Sequence, residues 1–216
     1  MSSFNKICKL GMQAALFALL FLVVQIPTLS ELAWPNEGNK INIMGHAILL
    51  LVSTAIIFPL VTWFSRFVNN KLNFFMPISI KGFSIASLAA VLSQLIQSLI
   101  SHFVASNNED IIAAFHSPLR LILLITLFLV SPILEEILFQ GALQGGILRR
   151  LPPIASIMLT ALIFSFAHGY GFSMQTVELL VSGLGYAIVY QQTKDIKMAI
   201  LSHGLANIIV MLVILF

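Results

Sequence analysis

Apolar residues run along this chain in seven blocks, at approximately 10 to 29, 43 to 64, 82 to 104, 118 to 140, 153 to 169, 175 to 191 and 197 to 216, with short polar stretches between them. A helix needs about 20 apolar residues to cross the hydrocarbon core of a bilayer, so the blocks predict seven membrane-spanning helices. Trp34 and Trp63 fall near predicted ends, where amphipathic rings settle at the interface. The fourth block is anomalous. Helical residues continue from Pro118 to Arg150, and at 1.5 Å per residue that is about 49 Å, too long for one crossing. Pro132 removes a backbone hydrogen bond in mid-run and predicts a kink there. Gly141, Gly145 and Gly146 loosen the chain further on, so the segment after Gly141 is expected along the membrane interface.

Composition agrees with the block pattern. Of 216 residues, 59% are hydrophobic and 9% charged, against roughly 25% charged in a soluble domain. No polar stretch is long enough to fold by itself, which predicts one all-α, polytopic membrane domain over residues 1–216. The formal charge of +3 does not indicate nucleic acid, because the eleven basic residues are scattered between apolar blocks and form no face. Their distribution predicts orientation instead. With the N-terminus in the cytoplasm, Lys6, Lys9, Arg66, Lys71, Lys81, Arg149, Arg150, Lys194 and Lys197 lie inside, and only Lys40 and Arg120 lie outside. The outer loops then hold Glu31, Glu37, Glu109 and Asp110. The first block is read as a membrane helix and not as a cleaved signal, since no small-x-small site follows it cleanly. The single Cys8 excludes an internal disulfide framework and any zinc-finger spacing.

Candidate chemistry lies in the polar residues that interrupt the later blocks. Only eight carboxylates exist, and Glu135 and Glu136 stand side by side within the fourth block. A charge inside a membrane costs several kcal/mol by insertion scales (roughly 3 at the helix centre), so an acid there indicates function by default. Two adjacent acids in low dielectric do not both ionise readily, which suits one of them to act as a base. A structural ion pair or a transporter's proton relay would also account for the pair alone. His168 ends the fifth block, and His203 in the seventh is followed by Asn207. Four residues apart, His203 and Asn207 share one helix face. Either histidine alone could be hydrogen-bonded helix glue. His46, His102 and His116 fall at span ends or in outer loops, where water can satisfy them. Gln94, Ser98 and Ser101 form a polar stripe on the third block that more often bonds a neighbouring helix than lines a cavity.

Taken in order, Glu135-Glu136-Ile-Leu-Phe-Gln140-Gly141, Phe164-x-x-x-His168 and His203-x-x-x-Asn207 resemble the CAAX protease and bacteriocin-processing (Abi) family of intramembrane proteases, over roughly residues 118 to 210. The resemblance implies a peptidase of membrane-associated peptides or proteins, without a metal cofactor. It assigns water activation to Glu135 assisted by His168, and oxyanion stabilisation to His203 and Asn207, with Glu136 also in the site and Gln140 and Phe164 in support. The family pattern has Arg where this chain has Gln140, which removes a cation. A multi-pass protein of a bacterial plasma membrane is the expected setting.

Three alternatives remain beside that expectation. The same family includes non-catalytic immunity or regulatory proteins, and Gln140 points that way. Two Glu and two His could hold zinc with an open position, although no His-Glu-x-x-His spacing is present. A transporter fits less well, without inverted repeats or paired broken helices. Depth poses a geometric question. Counted from the cytoplasmic ends of straight helices, His203 lies about 9 Å in and His168 about 24 Å in.

Overall fold

A computed structural model describes residues 3–32, 41–101, 112–113 and 115–215. Trp34, Glu37, Lys40, His102, Glu109 and Asp110 lie outside the described residues. Among the described residues seven long helices account for the fold, and there are no strands. They are α1 (Ser3–Val24), α2 (Ile43–Val68), α3 (Ile80–Ser101), α4 (Arg120–Ile147), α5 (Pro153–Ala167), α6 (Met174–Thr193) and α7 (Ile196–Leu215). Five are long and apolar enough to cross a membrane: α1 extended through a 3-10 turn to Glu31, then α2, α3, α4 and α7. The other two expected spans also form helices. One of them, α5, is apolar but has only 15 residues, about 22 Å and less than the roughly 30 Å core. The chain is thus a helical, multi-pass membrane protein.

The overlong fourth run is resolved by a change of hydrogen-bond register. Around Pro132 the run passes through a π-helical segment, Thr126–Val130, in which the Ser131 N–H reaches back five residues to the Thr126 carbonyl. Past Glu136 it becomes π-helical again, over Ile137–Ile147. The expectation that the chain turns along the interface after Gly141 is corrected here. Gly141, Ala142, Leu143, Gln144 and Gly146 are all buried within the bundle. The reason lies in α2, whose side chains on successive turns serve the widened helix. Ser65 Oγ donates to the Ile137 carbonyl at 2.7 Å, and Asn69 Nδ2 to the Gly141 carbonyl at 3.0 Å. Close approach is possible because position 145 is glycine, where a Cβ would collide with the Tyr190 hydroxyl and the Asn69 amide.

Around this contact the core is continuous, with Phe64, Val61 and Val68 of α2 packed on Leu138, Phe139 and Leu143 of α4 and on Phe164, Tyr186 and Ala206 of the later helices. One polar expectation changes. His46 is 1% exposed, and its Nδ1–H donates to the Ser30 carbonyl at 2.7 Å, so protein and not water satisfies it. On α3, Gln97 beside the expected stripe bonds a neighbouring helix, its Nε2 donating to Ser182 Oγ at 2.6 Å.

Candidate functional site

Glu135 and Glu136 occupy the last turn of the short α-helical segment Ser131–Glu136, between the two π-helical stretches. Both are buried, Glu136 completely. Consecutive residues on a helix point about 100° apart, so each carboxylate meets a different partner. Ser131, one turn earlier, donates its hydroxyl to Oε1 of Glu135, while Oε2 of Glu135 lies 3.9 Å from Nε2 of His168. Oε1 of Glu136 lies 2.9 Å from Nδ1 of His203.

The two histidines reach the acids from different helices. His168 follows Ala167 as the cap of α5, and its Nδ1 is 2.8 Å from the Phe164 carbonyl, one turn back. A carbonyl can only accept, so Nδ1 carries the proton. In its neutral form His168 therefore presents the Nε2 lone pair to Glu135. Its side chain is 30% exposed, which leaves water a path to the 3.9 Å gap.

His203 is governed by the opposite logic. It sits well inside α7, buried, with the Tyr186 ring stacked on it at 4.4 Å and 14°. Its Nδ1 faces a carboxyl group and not a carbonyl. A net charge buried in this apolar setting is costly, so the pair is neutral overall, either as carboxylic acid with imidazole or as carboxylate with imidazolium. In both states Nε2 of His203 bears a proton. The partner at Nδ1 thus makes His168 an acceptor and His203 a donor.

Phe164 sits between them. Fully buried, its ring centroid is 4.7 Å from that of His168 and 6.0 Å from that of His203, and it also meets Phe139 at 5.1 Å and Tyr186 at 5.9 Å. The depth mismatch expected for straight, level helices is bridged by Phe164. It lies one turn before His168 on α5, and its ring meets both that imidazole and His203 of α7.

Asn207 takes a different place. Its Nδ2 donates to the Leu127 carbonyl at 2.8 Å. In the π register that carbonyl would receive the N–H of residue 132, which is proline and has none. The Ser131 N–H is already committed to Thr126, so Asn207 supplies the missing donor. Position 204 is glycine for a related reason, since a Cβ there would stand 2.9 Å from the Phe128 carbonyl. Gln140, fully buried on α4 one turn after Glu136, has its side-chain amide beside the Glu136 carboxyl.

Glu135, Glu136, His168, His203 and Phe164 are thus gathered in one cluster, with Asn207 at its edge on the α4 backbone. Ser131 was not singled out from sequence, though its position one turn before Glu135 was the available signal. Among the described residues no three His, Cys, Asp or Glu stand close enough together to hold a metal ion.

Residues 117–209 match the family described as type II CAAX prenyl endopeptidase Rce1-like. That stretch contains every residue of the cluster, and its family is the one the three motifs resemble. No curated protein and no solved structure matches the chain.

Proposed function

We propose, with the match of residues 117–209 to the CAAX prenyl endopeptidase family as premise, that the chain is an intramembrane peptidase in which Glu135 is the general base. A water bridging Glu135 Oε2 and His168 Nε2 would donate one proton to each, since two hydrogen bonds of ordinary length span the 3.9 Å between those atoms. Its oxygen would then point its lone pairs away from both, toward a substrate carbonyl. As that oxygen bonds to the carbonyl carbon, one water proton passes to Glu135. The charge developing on the carbonyl oxygen is met by the Nε2–H of His203 and by the second N–H of Asn207, the first being held by Leu127. Collapse breaks the C–N bond, and Glu135 returns the proton to the leaving amine. Glu136 keeps His203 in its donor form and is a positioning residue.

The observation that carries this reading is the opposed polarity of the two imidazoles beside adjacent carboxylates, because hydrolysis needs an acceptor for water and a donor for the oxyanion. An apolar groove of about 470 Å³ between α1 and α5, lined by Phe17, Phe21, Phe139 and Phe166, opens next to the cluster and suits an apolar part of a membrane-borne substrate. Comparative peptidomics of cells carrying the intact protein or its Glu135→Gln variant tests the proposal. A substrate cleaved only with the intact protein supports it, and identical peptide profiles refute it.

Gln140 favours a second reading, a non-catalytic binding or regulatory protein built on the same bundle. Complementation separates the two. A binder keeps its phenotype with Glu135→Gln and with His168→Ala, whereas a peptidase loses it with both.

A further inference from the structure

Two cavities adjoin where α2, α4 and α6 end. One, of about 400 Å³, is polar and carries Lys71, Arg149 and Lys194 together with Asn69, Gln144 and Tyr190. The other, about 950 Å³ with mostly apolar walls including Leu10, Val68, Leu143 and Leu148, carries Lys9 and Arg150. They share Asn70, Arg149 and Leu151, so one molecule could occupy both. No residue of the Glu135 cluster lines either.

The charges in the polar cavity are unbalanced. Among the described residues none of Lys71, Arg149 and Lys194 pairs with a carboxylate, whereas Lys197 nearby is held by both oxygens of Asp195 at 2.8 and 2.9 Å. The Lys194 ammonium donates to Gln191 Oε1 at 2.7 Å, and partial burial and the neighbouring Lys71 push its pKa down from the usual lysine value. Its backbone is held in the left-handed region at φ 54°. Gln144 adds a polar demand of its own. It is 3% exposed, its Nε2 donates to the Ala187 carbonyl at 3.0 Å, and its Oε1 is buried without a donor among the described residues.

Three like charges around a cavity favour an anionic phosphate group, whose several oxygens can accept from more than one cation. The buried Gln144 acceptor favours a hydroxyl on the same ligand, and the adjoining groove favours an acyl chain. We propose that these cavities bind one acidic phospholipid with a hydroxylated headgroup. Its phosphate lies among Lys71, Arg149 and Lys194, a headgroup hydroxyl donates to Gln144, and a chain runs along Val68, Leu143 and Leu148.

Phosphatidylglycerol is the probe. The full chain in neutral detergent is titrated with phosphatidylglycerol, phosphatidylcholine or glycerol 3-phosphate and followed by native mass spectrometry and thermal unfolding. The expected result is one phosphatidylglycerol retained per chain, with raised thermal stability, and an affinity on the order of a hundredfold lower in the Lys71→Gln/Arg149→Gln/Lys194→Gln variant. The exposed Lys71→Gln alone gives the same trend to a smaller degree should the triple variant fail to fold. Equal retention of phosphatidylcholine, or undiminished phosphatidylglycerol binding by the variants, overturns the site. Equal protection by glycerol 3-phosphate overturns the lipid and leaves a soluble-anion pocket.

Discussion

Glu136 Oε1 and His203 Nδ1 stand 2.9 Å apart although the residues are 67 positions apart in sequence, and this contact ties the fourth helix to the last one. Because the acid is fully buried, removal of its partner leaves a carboxyl group in the protein interior without the imidazole that offsets its desolvation. His203→Ala is therefore expected to destabilise the bundle by about 1–3 kcal/mol. Glu136→Ala in that background should cause no further loss and should recover part of it. Unfolding in mild detergent across the four-member cycle measures the coupling, and strictly additive effects would remove the pair from the account.

Glu135→Gln retains the shape of the side chain and still accepts from Ser131, but it cannot take a proton from water. Cleavage is expected to fall roughly a hundred- to ten-thousand-fold, with membrane insertion and thermal stability unchanged. Retained proteolysis in a reconstituted assay would exclude Glu135 as the base.

Asn207 and Pro132 are linked through the Leu127 carbonyl. Asn207→Ala should cost about 1–3 kcal/mol by orphaning that oxygen. Adding Pro132→Ala supplies a backbone N–H within reach, so the double variant should be more stable than Asn207→Ala alone. Thermal unfolding of the three proteins decides it, and a double variant weaker than both singles contradicts the link.

Gly204→Ala introduces a Cβ 2.9 Å from the Phe128 carbonyl, and α4 and α7 must separate to admit it. The expected cost is about 1–3 kcal/mol. Activity should fall as well, because His203 is the neighbouring residue and moves with the helix. A fully active Gly204→Ala protein would mean that the spacing of these helices is not critical.

On the proposed mechanism no metal takes part, so exhaustive chelation should leave the cleavage rate unchanged. Loss of activity that zinc restores would favour the metal reading instead.

The sequence made the helical class and the cluster legible for a simple reason: in lipid a polar side chain is costly, so Glu135, Glu136, His168 and His203 stand out against their apolar blocks. It made the partners much less legible. Which acid meets which imidazole depends on the 100° step between adjacent residues and on how α5 and α7 are placed around α4, neither of which is written in one-dimensional spacing. Asn207 was expected near the oxyanion from motif position. Its bond to Leu127 could be anticipated only by asking which carbonyl Pro132 leaves without a donor in a π register. The continuation of α4 inside the bundle was hidden for the same reason, since Ser65 and Asn69 lie in a part of the chain that carries no motif.

The donors from α2 have a practical consequence for anyone wishing to isolate the portion that carries the Glu135 cluster. The family-matched stretch 117–209 contains the acids and imidazoles of the cluster, yet two carbonyls of its widened helix are served by side chains some seventy positions upstream. Excised from its N-terminal half, that stretch would face lipid with exposed backbone acceptors, so the smallest autonomous unit must include α2.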